Sequence, residues 1–142
     1  MISGGAGQGA RSMATIGSPD AYDGFDIYGV AFTPQYQHRD CTIGLSHGSS
    51  TNDIADIDYG IRFHSHYFYV VEKGHQRYWN AVQTVAGVDV FEVRISSTGK
   101  VVYVKNRVVF YTSGATPTFP LRVDASFLTT GATLNNIYWL EN

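Results

Sequence analysis

Short stretches in which apolar and polar residues alternate recur along this chain, and no stretch holds a 3.6-residue apolar period over three turns. Alternation is clearest in DVFEVRIS (89–96), where Asp89, Phe91, Val93 and Ile95 share one face and Val90, Glu92, Arg94 and Ser96 the other. LRVDASF (121–127) repeats it with Leu121, Val123, Ala125 and Phe127 inward. DYGIRFH (58–64) sets Tyr59, Ile61 and Phe63 against Arg62 and His64. RSMATI (11–16), DIYGVAF (26–32), CTIGLS (41–46), YFYVVE (67–72) and NNIYWLE (135–141) also read as strands. Many short strands separated by Gly, Asn, Asp and Ser turns predict an all-β sandwich or barrel.

GKVVYVKNRVVFYTS (99–113) predicts a hairpin. Val, Tyr and Phe suit a pleated, half-buried surface, and Asn tolerates the positive φ of a tight turn at Asn106-Arg107. That turn places Tyr103 opposite Phe110, Val102 opposite Tyr111 and Val104 opposite Val109. Both faces are apolar in the middle, so the hairpin is expected to be sandwiched scaffold.

The chain has 142 residues, enough for one domain with its own core. Ten basic residues stand against twelve acidic ones, scattered rather than clustered, which points away from nucleic acid or an anionic membrane as partner. No apolar run is long enough to insert into a membrane, and no charged segment leads into an apolar one at the start. Export is therefore expected through assembly into a larger particle or release by lysis. The single cysteine, Cys41, lies in a strand and is expected to be structural. Residues 1–10 are Gly-rich and read as an N-terminal arm, with residues 11–142 forming the domain. An arm of this kind is expected to be held by its own sheet edge or by a neighbouring subunit.

The ordered segments IGLS, IDYGI, YVVEKG, GVDVFEVRISSTGKVVYVKNRVVFYTS and PLRVDASF, followed by GATLNNI, resemble a module of bacterial and phage surface proteins. It belongs to the concanavalin A-like lectin/glucanase and laminin-G-like group, and the likeness spans roughly residues 10–142. The resemblance implies a two-sheet antiparallel β-sandwich of jelly-roll type. It also implies a carbohydrate-binding or adhesive accessory, displayed extracellularly or on a virion. Two departures stand out. Arg107 replaces the usual turn glycine, and the strand ordinarily preceding the GARS segment is short or missing, leaving a sheet edge to be covered.

Catalysis is not expected. Glycoside hydrolysis needs two carboxylates flanking the scissile bond, and Glu72, Glu92 and Glu141 lack the compact Glu-x-Asp-x-x-Glu spacing of glucanases of this fold. No Gly-x-Ser-x-Gly elbow occurs, and nothing around Cys41 marks a nucleophile. HSH (64–66) has a spacing found in β-sheet zinc sites but reads more simply as a bend. His38, His47 and His75 join it only if the fold gathers them. Asp53, Asp56 and Asp58, with Asn52, offer oxygen ligands for calcium, although the spacing matches no EF-hand and acidic loops are usually just solvated. No cofactor is therefore expected, calcium being the one ion the sequence admits.

Sugar recognition needs an aromatic platform beside hydrogen-bonding side chains. HQRYWNAVQ (75–83) supplies Arg77, Tyr78, Trp79 and Asn80, and is read as a loop after the Lys73-Gly74 break. SPDAYDGFD (18–26) adds Tyr22 and Asp23, while Trp139 is expected in the core. The expected function is a non-enzymatic, lectin-like module binding carbohydrate or a cell-surface glycan. The alternative is a structural phage component, such as a capsid decoration, fibre or tail protein, forming a homo-oligomer or larger assembly through its N-terminal arm.

Overall fold

A computed structural model describes residues 2–4, 8–19, 27–35, 40–48, 54–80, 84, 86–127 and 132–141. The strands are β1 (Ile2–Gly4), β2 (Gln8–Ile16), β3 (Ile27–Pro34), β4 (Cys41–Ser46), β5 (Tyr59–His64) and β6 (Tyr67–Glu72). They continue as β7 (His75–Asn80), β8 (Phe91–Ile95), β9 (Val101–Lys105), β10 (Val108–Thr112), β11 (Leu121–Phe127) and β12 (Ala132–Glu141). One 3-10 turn, Ile54–Asp56, precedes β5, and the described residues contain no α-helix.

Two antiparallel sheets of six strands pack as a sandwich: sheet I in the order β1-β12-β3-β8-β9-β10, sheet II in the order β2-β11-β4-β5-β6-β7. The chain changes sheet after β1, β2, β3, β7, β10 and β11, which is jelly-roll wiring. Residues 2–4 pair with β12 and residues 8–10 with β11, so the Gly-rich start supplies edge strands to both sheets of its own chain. The strand before the GARS segment is present but only three residues long.

Alternation decides which side chains meet between the sheets. Phe91, Val93 and Ile95 of β8 and Tyr103 of β9 face Ile61, Phe63, Phe68 and Val70 of β5 and β6, all essentially buried. Phe91 is the hub: its ring lies 4.9 Å from Phe63 and 5.1 Å from Phe68, edge to face in both pairs. Leu121, Val123, Ala125 and Phe127 of β11 are buried as their alternation requires. Trp139 is partly buried against the same core.

The β9–β10 hairpin departs from its expected register. Asn106 and Arg107 both have positive φ, 49° and 70°, and Val108 pairs with Lys105 and Val109 with Val104 as foreseen. Beyond them Tyr111 pairs with Tyr103 and Thr112 with Val102, because Phe110 is the extra residue of a bulge. Nor is the whole hairpin sandwiched. β10 is the edge of sheet I, and Val108 is 66% exposed. Sequence apolarity alone does not distinguish an edge strand from a central one.

Candidate functional site

HQRYWN is a strand, not a loop. Lys73 and Gly74 take positive φ, 52° and 83°, closing a two-residue turn that returns β7 onto β6 as the outer strand of sheet II. Val71 then pairs with Gln76 but Val70 with Tyr78, leaving Arg77 as a bulge residue. Tyr78 faces inward, packing near the rings of Phe110 (5.4 Å) and Tyr111 (5.8 Å). Trp79 points to the opposite, outer face and is 50% exposed. The predicted cluster is therefore split, with Arg77 on the inner side beside Tyr78 and Trp79 outside. Asn80 pairs with Phe68 through its backbone, and its side chain, like Tyr22, Asp23, Asp53 and Asn52, lies outside the described residues.

Register assembles a different group around Trp79. Arg62, Tyr69 and Trp79 stand directly opposite one another across β5, β6 and β7, continued toward β11 by Thr42 and Ser126. His64 and Tyr67 form the next pair on the same face. The Tyr67 ring meets Trp79 edge-on at 6.1 Å. Asp40 fixes the polar end: its carboxylate accepts from Arg62 Nε at 3.0 Å and Nη2 at 2.6 Å, a two-pronged ion pair. That hydrogen bonding to Asp40 raises the Arg62 pKa, burial opposing it. His64 Nδ1 lies 3.7 Å from the same carboxylate. A depression of about 240 Å³, lined by Arg62, His64, Tyr69, Val71, Gly74 and Gln76, opens beside the row. Asp40, Arg62, Tyr69 and Gln76 are not in the sequence-derived site. For Arg62 and Tyr69 the signal was cross-strand: the bare Ser65-His66 gap sets His64 against Tyr67 and hence Arg62 against Tyr69.

Of the residues considered for metal, Asp56 and Asp58 make other contacts, and His38, like Asn52 and Asp53, lies outside the described residues. Asp58 Oδ2 accepts the His47 backbone N–H at 2.9 Å, and the Asp56 carbonyl accepts from Ser46 Oγ at 3.1 Å. His64 ends β5, and Ser65 and His66 make the bend before β6. Cys41 is buried, and burial, with a smaller contribution from Asp40, pushes its thiol up to about 12.

On the inner side, Glu72 at the end of β6 is only 7% exposed. Its Oε2 accepts a 2.8 Å hydrogen bond from the Tyr103 hydroxyl of the opposite sheet. Burial first, then the Glu72 charge, hold the Tyr103 hydroxyl well above the ordinary phenol value. Arg77 Nε approaches Glu72 Oε1 to 4.0 Å. Glu92 lies on the outer face of sheet I beside Arg94, 3.6 Å away. No protein-family model matches the chain, and no curated protein matches it.

Proposed function

We propose that this protein is a non-enzymatic, lectin-like recognition or attachment module whose carbohydrate ligand lies on the outer face of sheet II. The observation that carries this reading is the row of Trp79, Tyr69 and Arg62, with a half-exposed indole at its outer end. An exposed aromatic face offers a stacking surface to a sugar ring. Arg62, held by Asp40, and Gln76 stand ready to donate hydrogen bonds to ring hydroxyls. The non-enzymatic part rests on the separation of the glutamates: Glu72 lies in sheet II and bonds Tyr103, while Glu92 lies against Arg94 in sheet I, so the two do not flank one bond. Display on a virion or cell surface is the setting that suits such a module.

A glycan and polysaccharide binding screen on wild type and Trp79→Ala, with thermal unfolding as a folding control, tests this. Wild-type binding lost in a folded Trp79→Ala supports the reading. Binding equal in both removes Trp79 from the site, and no binding to any glycan defeats it.

A second reading, a structural subunit of a larger assembly, draws on strand β10. This edge, VVFYT, carries no charge or proline to deter pairing, and Val108 and Val109 are exposed. A second copy of β10, antiparallel to the first, would cover it without bringing like charges together. Light scattering on wild type and Val109→Lys decides this: a dimer or larger species dissociated by the lysine supports it, and a monomeric wild type excludes it.

A further inference from the structure

The two hairpins at one side of the sandwich share a construction. Each has a two-residue turn with both φ positive, at Lys73-Gly74 and at Asn106-Arg107. Each then has two paired residues and a bulge, at Arg77 in β7 and at Phe110 in β10. β7 and β10 are the edges of opposite sheets, and Tyr78 packs against Phe110 and Tyr111 where the two edges face. Bulges bend a strand and re-aim side chains. Here one bulge brings Arg77 to the inner side, against a carboxylate that the fold has buried.

Two depressions of about 280 Å³ each converge on that carboxylate. One is lined by Glu72, Arg77, Tyr111, Gly114 and Ala115; the other shares Glu72, Arg77 and Ala115 and reaches Asp58, Tyr59 and His75. A carboxylate between two sheets is costly unless its hydrogen-bonding capacity is used. Oε2 is used by Tyr103. Oε1 faces the cleft with Arg77 Nε at 4.0 Å, too far for a hydrogen bond between them. An acceptor and a donor set thus stand side by side with capacity to spare. Carboxylates and cations line the cleft together, so neither a polyanion nor a polycation matches it, and the polar floor does not suit a lipid.

We propose that the Glu72–Arg77 cleft is a second binding site, for a neutral, hydroxyl-rich ligand of the saccharide class. One hydroxyl donates to Glu72 Oε1, an adjacent one accepts from the Arg77 guanidinium, and the Tyr111 side chain forms a wall. The ligand class rests on the glycan-binding reading above, but the site is separate from the Trp79 face.

The test is an amide-shift titration of labelled protein with glucose, galactose and mannose, for wild type, Trp79→Ala, Glu72→Gln and Arg77→Ala. Glu72→Gln keeps an oxygen to accept from Tyr103, and Arg77 is half-exposed, so both variants are expected to fold. The expected result is shifts at residues 72–75 and 114–115 that survive Trp79→Ala and weaken about tenfold in Glu72→Gln, as loss of a charge-assisted hydrogen bond implies. Shifts confined to Tyr69, Gln76 and Trp79 overturn the second site and leave the first reading standing. Shifts confined to the Glu72 region do the reverse, and none with any of the three hexoses overturns the second site, the first reading then resting on the polysaccharide screen. Equal affinity in wild type, Glu72→Gln and Arg77→Ala also overturns the proposal.

Discussion

Tyr103, from β9 beside the edge of sheet I, donates a hydrogen bond from its hydroxyl across the sandwich to Glu72 at the end of β6 in sheet II, 2.8 Å away. Both side chains are buried, and the bond couples the sheets at the end where the Phe91 ring cluster gives way to polar groups. Tyr103→Phe keeps the ring and leaves Glu72 Oε2 without that donor. Loss of stability of about 1–3 kcal/mol is expected, the cost of an unsatisfied buried acceptor. Urea unfolding measures it, and an unchanged midpoint would show that water replaces the phenol there.

Gly44 faces Gly60 across β4 and β5. A Cβ at Gly44 would collide with the Tyr59 carbonyl oxygen and press on the Gly60 Cα, both backbone atoms that cannot swing aside. At Gly60 a Cβ would fall 2.8 Å from Thr42 Cγ2 and 3.0 Å from Ile57 Cγ2. Gly44→Ala is therefore expected to destabilise by about 1–3 kcal/mol or more through overpacking. Thermal unfolding checks it, and a wild-type melting temperature would mean that the strands separate at little cost.

Much of the fold was legible because alternation and turn chemistry are local. Leu121–Phe127, Cys41–Ser46 and Tyr67–Glu72 fall where their residue patterns put them. The site was less so. A break at Lys73-Gly74 followed by weak alternation reads as a loop, yet those two residues form a hairpin turn and the Arg77 bulge disturbs the alternation of β7. The same local cause shifted the register beyond Val109. Arg62 and Asp40 are 22 residues apart and meet only once β4 and β5 pair.

Stability is expected to fall in alkali. Burial raises the Cys41 thiol to about 12 and Tyr103 and Tyr59 above the ordinary phenol value. Each group keeps its proton in the folded chain at a pH where the unfolded chain releases it. The folded state then binds more protons, so stability is full below the unfolded value and declines as pH rises through the window up to the folded value. For Cys41 that window runs from 9.0 to about 12, at about 1.4 kcal/mol per pH unit for one group. Unfolding at pH 8, 10 and 11, with Cys41→Ala removing the thiol's share of the slope, reads this directly. A slope identical in the variant would show that the thiol titrates normally.

Arg107 holds φ at 70°, a left-handed conformation that glycine adopts without strain. Asn-Gly is the favoured pair for such a turn. Arg107→Gly is expected to stabilise the hairpin by about 0.5–1 kcal/mol, the strain relieved exceeding the added freedom of the unfolded chain. A higher urea midpoint confirms it. A lower one would mean that the arginine side chain makes a stabilising contact.

Arg62→Lys separates the two roles of Arg62. The guanidinium grips both oxygens of Asp40, which a lysine ammonium cannot do in the same planar geometry. Because Arg62 is about a third exposed, solvent screens the pair and stability is expected to change by no more than about 1 kcal/mol. If the row is the sugar platform, affinity is expected to fall about fivefold or more, since a flexible ammonium no longer presents fixed donors beside Tyr69. Titration of the glycan that wild type binds, run beside thermal unfolding, gives both quantities. Unchanged affinity with lowered stability would make the Asp40–Arg62 pair a brace between β4 and β5 and place sugar contacts at Trp79 and Gln76 alone.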